Sequence, residues 1–194
     1  MYSSTLILAS SSHYRRQILS KLAVDFIADA PEIDESRQVD EAPDQLALRL
    51  GIQKAWALQE KYPNHLIIAS DQVAFNRQQQ LHKPGNRAQA IKQLQDAVGQ
   101  SIQFFTSICV HNSATQQTLT ELDITTVHFK QLTNVQIEHY IDIDQPFDCA
   151  GSFKAESLGI ALFEKIQSDD PNALIGLPLI KLIALLEQFD FKIL

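Results

Sequence analysis

Three serines and two arginines fall within seven residues near the start of the chain, Ser10-Ser11-Ser12-His13-Tyr14-Arg15-Arg16. Serine hydroxyls donate hydrogen bonds to phosphate oxygens, and an arginine fork matches their geometry. The same residues also serve a plainer end, with Ser12 capping a helix and the arginines in solvent. Asp71 follows an apolar run directly, in Ser70-Asp71-Gln72-Val73. A carboxylate at a strand end sits where α/β proteins place ligands, and it could act on a proton, hold a metal or close a turn. Lys83-Pro84-Gly85 fixes a lysine before a rigid turn, and Lys54 offers a second cation inside a long helical pattern. Glu35, in Ile33-Asp34-Glu35-Ser36, suits a hard cation such as Mg²⁺ or an exposed loop. Gly151 to Gly159 packs serine, lysine and glutamate (Glu156) between glycines. No G-x-x-x-x-G-K-[ST] run is present, so the serine-rich turn is not a P-loop.

The elements around these residues can be read from periodicity. Thr5–Ala9 predicts a buried strand, and Ser12 to Leu22 a helix with Ile18, Leu19 and Leu22 inward. A second strand is expected over Val24–Ala30, then an acidic loop. A helix starts at Pro43 and is expected to reach about Tyr62, where Pro63 stops it. His65 to Ser70 predicts a strand running into Asp71, and Arg87 to Gly99 an amphipathic helix closed by the glycine. Two strand-rich stretches follow, near residues 102–112 and 118–132, as a long antiparallel pair. A helix near Thr133–Ile143, a strand over Ile160–Ile166 and a final helix from Pro178 complete the chain. Helices alternate with strands while some strands are adjacent, so the sheet should be mixed. There is no internal repeat and no linker-like segment, which predicts a single domain over 1–194.

Composition narrows the class. With 194 residues and ordinary apolar and charged content, a sizeable core is expected. The apolar run before Ser10 is shorter than the roughly 7–15 residues of a secretory signal, and its charges follow it. No window reaches the roughly 18 apolar residues of a membrane span. The two cysteines have no paired spacing, which argues for a reducing compartment; a soluble, cytoplasmic protein without membrane partners is the expectation. A net charge of −7 disfavours nucleic acid as a partner, although a few local cations can still hold a small anion.

Taken in order, the motifs resemble one family. ILASSSHYRR, IDES, QKA, SDQV, KPG, AGSFKAE and NALIGLPL, spread from Leu6 to Leu179, resemble the Maf family of nucleoside triphosphate pyrophosphatases. The resemblance implies an α/β fold like that of inosine triphosphate pyrophosphatases, a mixed β-sheet with flanking helices and two lobes around a central cleft. It implies hydrolysis of the α–β phosphate bond of a nucleoside triphosphate, giving the monophosphate and pyrophosphate, with a divalent metal cation, Mg or Mn. Ser10, Ser12, Arg15, Lys54 and Lys83 match the family's phosphate-binding positions, and Arg16 adds a further contact. Asp71 matches the family's proton acceptor, with metal binding as its other job, and Glu35 matches an acidic position near the metal. Family members are often dimers, so a homodimer stands open beside the monomer.

Within the family, this chain lacks the proline after the second motif serine and the YGIQG-like loop of the branch acting on pyrimidine triphosphates. It is more similar to the YceF-type branch, whose substrate is 7-methyl-GTP. N7-methylation makes guanine cationic, which favours stacking on an electron-rich ring. Tyr14 offers that ring, although the branch usually carries tryptophan there. Glu156 and Gln72 offer contacts to the guanine edge. The alternatives are a dTTP/UTP pyrophosphatase of the same family and a non-catalytic nucleotide-binding regulator of cell division.

Overall fold

A computed structural model describes residues 5–194. Leu6–Ala9 (β1), Phe26–Asp29 (β2) and Leu66–Ala69 (β3) are short strands; β1 pairs in parallel with both of the others. β1 and β3 are buried along their whole length, and their unbroken apolar sequences reflect cover on both faces. Side chains alternate across the sheet. Leu6, Leu8, Leu66 and Ile68 therefore pack on one face, against Ile18 and Leu19 of helix α1 (His13–Ser20) and the leucines of helix α5 (Leu179–Glu187). Ile7, Ala9, Ile67 and Ala69 pack on the other, against Ala55 of helix α2 (Pro43–Trp56) and Leu58. Helices on both faces of the three parallel strands make this a doubly wound arrangement.

The remaining elements are β4 (Gln72–Asn76), β5 (Gln79–Leu81), α3 (Arg87–Ala97), β6 (Ser101–Asn112), β7 (Gln117–Phe129), α4 (Asn134–Asp144) and β8 (Phe163–Gln167). The fold is mixed α/β, as expected: β6 runs antiparallel to β3, and β4 to β5. The chain divides into two compact units. The first holds the segments ending at Gln72, Thr106–Asp123 and Asp170–Leu194, and so contains β1–β3, α1, α2 and α5. The second holds Val73–Phe105 and Ile124–Asp169, built around Phe104, Phe129, Phe153 and Phe163, whose rings meet edge-on at 4.7–5.7 Å. No helix among the described residues is long and apolar enough to cross a membrane.

Two local expectations need correction, and one hairpin went unread. Helix α2 stops at Trp56, short of Tyr62. Tight turns follow it, Leu58 N–H to Ala55 O and Gln59 N–H to Trp56 O, and Tyr62 donates its hydroxyl to Asp29 on β2 at 2.8 Å. The strand expected from Ile160 begins only at Phe163, because Leu158–Leu162 wind into a 3₁₀ turn. The β4–β5 hairpin was not legible: its turn places Arg77 at φ 56°, without the Asn-Gly or Asp-Gly that announces such turns.

Candidate active site

β1 and β3 lie side by side with Leu8 opposite Ile68, so Ser10 and Ser70-Asp71 leave the sheet together at its carboxyl edge. From β1 the chain turns through α1 to β2 on one side, then returns through α2 to β3 on the other. The crevice between β1 and β3 is therefore the topological switch point of this parallel set, the place where open α/β sheets take ligands.

Ser12 caps α1, accepting the Arg15 N–H at 3.4 Å, and Ser10 Oγ accepts the Ser12 N–H at 3.1 Å. The plain reading of the serine turn holds for the Ser12 cap and for the exposed Arg16, but not for Arg15. Both hydroxyls act here as acceptors, which keeps their hydrogens for an incoming oxygen. Arg15 folds back over the turn: its Nε donates to Gly176 O at 2.9 Å, and its Nη1 lies 3.5 Å from Ser10 Oγ. Burial lowers the Arg15 pKa from its ordinary value, while Asp71 and Glu35 pull it the other way. Ser70 Oγ also donates to Gly176 O, at 2.8 Å. Gly176 adopts φ 119°, a backbone state that side chains disfavour, and this turns its carbonyl to both donors.

Lys54 comes from α2 on the opposite face of the sheet. Its Nζ lies 2.5 Å from Asp71 Oδ1 and 2.7 Å from Glu35 Oε1. The Lys54 and Asp71 side chains are 9% and 8% exposed, while Glu35 is 60% exposed. The buried cation is thus held between an inner and an outer carboxylate. Asp71 is fixed through its backbone: Ser107 Oγ accepts its N–H at 3.1 Å, and the Ser107 N–H donates to its carbonyl at 2.9 Å. Gly51 explains how α2 comes close enough. A Cβ there would lie 2.6 Å from Ser107 Oγ, so a larger residue would have to displace the hydroxyl that holds the Asp71 N–H.

Of the sequence-predicted residues, Ser10, Ser12, Arg15, Lys54, Glu35 and Asp71 meet in the first unit. Arg16 is exposed and makes no side-chain hydrogen bond or ion pair among the described residues. Tyr14 is half-buried, with its ring edge-on to His13 at 4.9 Å. The Gln72 amide nitrogen is occupied by Thr106 Oγ1, Ala173 O and Leu174 O at 2.9–3.0 Å, so its Oε1 is what it can offer a base. Lys83 and Glu156 belong to the second unit. Lys83 is exposed and lines a pocket of about 310 Å³ with His82, Lys92 and Gln93. Glu156 is exposed in a turn whose neighbours Lys154 and Ser157 both bond to Asp144.

Sequence reading missed Ser70, Ser107, Gly51 and Gly176. A signal existed for two of them. A mid-helix glycine costs about 1 kcal/mol against alanine and so asks for a packing reason. A serine inside the apolar run of β6 asks for a partner.

A metal would find a modest donor set here. No group of three or more His, Cys, Asp and Glu residues is gathered to hold an ion among the described residues. Asp71 and Glu35 supply two carboxylates around one ammonium, which fits a hard ion taking one or two carboxylates and completing its shell with substrate phosphates.

If Arg15 takes phosphate oxygens, as the sequence resemblance implies, Arg15→Ala should raise the KM for a nucleoside triphosphate about tenfold to a hundredfold, the loss of a charge-assisted bond of roughly 1.5–3 kcal/mol. Because Arg15 also holds Gly176, the melting temperature should drop by a few degrees, roughly as for one lost hydrogen bond. A variant with an unchanged KM but a much lower melting temperature would leave the serine turn as a cap alone.

Comparison with known proteins gives the family and its relatives. The Maf-like protein family matches residues 5–189. A 7-methyl-GTP pyrophosphatase of Alcanivorax borkumensis is 53% identical, covering 91% of this chain and 89% of its own. One from Vibrio vulnificus is 50% identical, covering 97% of each chain. One from Colwellia psychrerythraea is 47% identical, covering 98% of this chain and 95% of its own. Among solved structures, the Ham1 protein of Staphylococcus aureus aligns with a TM-score of 0.46 at 14% identity, over 64% of this chain and 71% of that one.

Proposed function

Because the chain belongs to the Maf family, we propose that it is a nucleotide pyrophosphatase that converts 7-methyl-GTP and water to 7-methyl-GMP and pyrophosphate. The observation that supports this most is the Lys54–Asp71–Glu35 cluster beside Arg15 and the Ser10–Ser12 turn, at the switch point of the sheet. Similarity over nearly the full length to relatives named for 7-methyl-GTP supports the choice of base.

In this reading, Arg15, Ser10, Ser12 and the first turn of α1 take the phosphate oxygens, where the helix dipole also favours an anion. Asp71 accepts the proton of a water aimed at the α-phosphorus. The new P–O bond forms to that water oxygen, the α–β anhydride bond breaks, and its electron pair leaves with pyrophosphate. Lys54 orients Asp71 through Oδ1 and supplies positive charge next to the reacting phosphate.

The charges also argue for a divalent cation. Arg15 and Lys54 contribute two positive charges and Asp71 and Glu35 two negative ones, so the four side chains together are neutral. A triphosphate needs further positive charge, and Mg²⁺ or Mn²⁺ held by Asp71 and Glu35 would supply it by neutralising phosphate oxygens. Activity should vanish with EDTA and return with excess Mg²⁺.

The base preference is tested by pyrophosphate release from 7-methyl-GTP, GTP, UTP and dTTP in parallel, with Mg²⁺. The expected order puts 7-methyl-GTP first by kcat/KM. A preference for UTP or dTTP would overturn the base and leave the cleavage chemistry standing.

A further inference from the structure

The acidic loop between β2 and α2 carries Glu35, and its sequence, rich in charge and exposed, suggests a mobile solvated segment. Besides Lys54, a second side chain of α2 ties it down. Arg49, one and a half turns before Lys54 on α2, aims its guanidinium at the loop. Nε and Nη2 pair with Glu41 Oε1 and Oε2 at 2.5 and 2.8 Å, and Nη2 also reaches Ser36 O at 3.0 Å. Nη1 donates to Gln53 Oε1 at 3.0 Å, which steadies the fork on its own helix. Glu41 is buried to 8% exposure, and the Arg49 fork holds its carboxyl far below the usual range, at about 2. The same glutamate closes the loop on itself: Oε2 accepts the Gln38 N–H at 3.0 Å, and its carbonyl accepts both Arg37 Nε and Nη2 at 2.8 and 2.6 Å. Ser36, gripped by Arg49, is the residue next to Glu35.

We propose that Arg49 is a positioning residue for the reaction, a strut that acts through Glu41 and Ser36 to hold Glu35 beside Lys54 and Asp71. The need is clear from exposure. Glu35 is 60% exposed, and pairs made at a surface are typically worth only about 1 kcal/mol, so its contact with Lys54 gains from a loop already fixed against α2. Arg49 instead binds a buried carboxylate at two points and a backbone carbonyl at a third, which sets the loop against the helix that carries Lys54. Both partners of the Lys54–Glu35 contact are then referred to one rigid element. Lysine cannot reproduce this, because a single ammonium lacks the planar fork that spans both Glu41 oxygens.

The kinetic part rests on the pyrophosphatase reading; the structural part does not. Arg49→Lys keeps the charge and removes the fork, and Glu41→Gln keeps the shape and removes the ion pair. In both variants, hydrogen exchange at the Gln38 amide and its loop neighbours should accelerate while α2 and β3 keep their protection. Turnover should fall by up to ~10²-fold, chiefly in kcat, as expected when a catalytic group is displaced by about 1 Å. The decisive comparison repeats Arg49→Lys in a Glu35→Gln background. A strut acting through Glu35 has nothing left to position there, so the second substitution should add less than about twofold, a strong departure from additivity. Equal losses in both backgrounds, or an unchanged exchange rate at Gln38 in Arg49→Lys, would overturn the proposal. Absence of turnover in the wild-type protein would overturn the pyrophosphatase reading instead, and the exchange measurement would then decide the strut alone.

Discussion

Asp71→Asn is expected to give a folded protein whose turnover is at least ~10²-fold slower, the usual cost of losing a general base. The fold should tolerate the change because Asp71 is anchored by its backbone, through both the N–H and C=O contacts to Ser107, which the amide keeps. Asparagine also preserves an oxygen toward Lys54, and Lys54 keeps Glu35 as an ionic partner. Nucleotide affinity should change little or improve, since a negative charge has left the phosphate site. Steady-state pyrophosphate release together with a thermal melt reads both effects. Near-normal kcat would remove Asp71 from the mechanism.

Lys54→Met should be damaging twice over. Removing one partner of a buried pair leaves the other uncompensated, at roughly 3–5 kcal/mol. Here the stranded group is Asp71, with its side chain only 8% exposed, and Glu35 adds a second like charge to the same vacancy. Turnover should fall at least ~10²-fold as well, because the lysine both orients Asp71 and faces the developing charge. The two substitutions therefore differ in kind: both abolish most activity, but Lys54→Met should unfold at clearly lower urea concentration than Asp71→Asn. Adding Asp71→Asn to Lys54→Met should restore part of the lost stability without restoring turnover. Equal urea midpoints for the two single variants would mean that the buried pair contributes nothing net to the fold.

The sequence disclosed most of what local chemistry controls. The apolar runs of β1 and β3, each ending in serine, marked two central strands and the edge where Ser10 and Asp71 emerge. Ser12 as a cap and Pro43 at the start of α2 were legible because capping depends on neighbours in the chain. Contacts made across the fold were not. Nothing in the periodicity of α2 says that Gly51 meets Ser107, or that Arg49 rather than its neighbours grips the acidic loop. Glu41 carries no sequence signal of burial, yet it is buried, because its partner lies eight residues on and only folding brings the two together. Lys54 is the reverse case. Its role was implied by family resemblance alone, and the structure adds the physical content, a buried cation held by two carboxylates.

The central claim is that this chain cleaves the α–β bond of 7-methyl-GTP at the Asp71 centre. Following the reaction by phosphorus NMR with Mg²⁺, in wild-type protein and Asp71→Asn side by side, tests it most directly. The wild type should give 7-methyl-GMP and pyrophosphate in equal amounts, and the variant neither at a comparable rate. Formation of 7-methyl-GDP with orthophosphate, or equal rates from the two proteins, would contradict it.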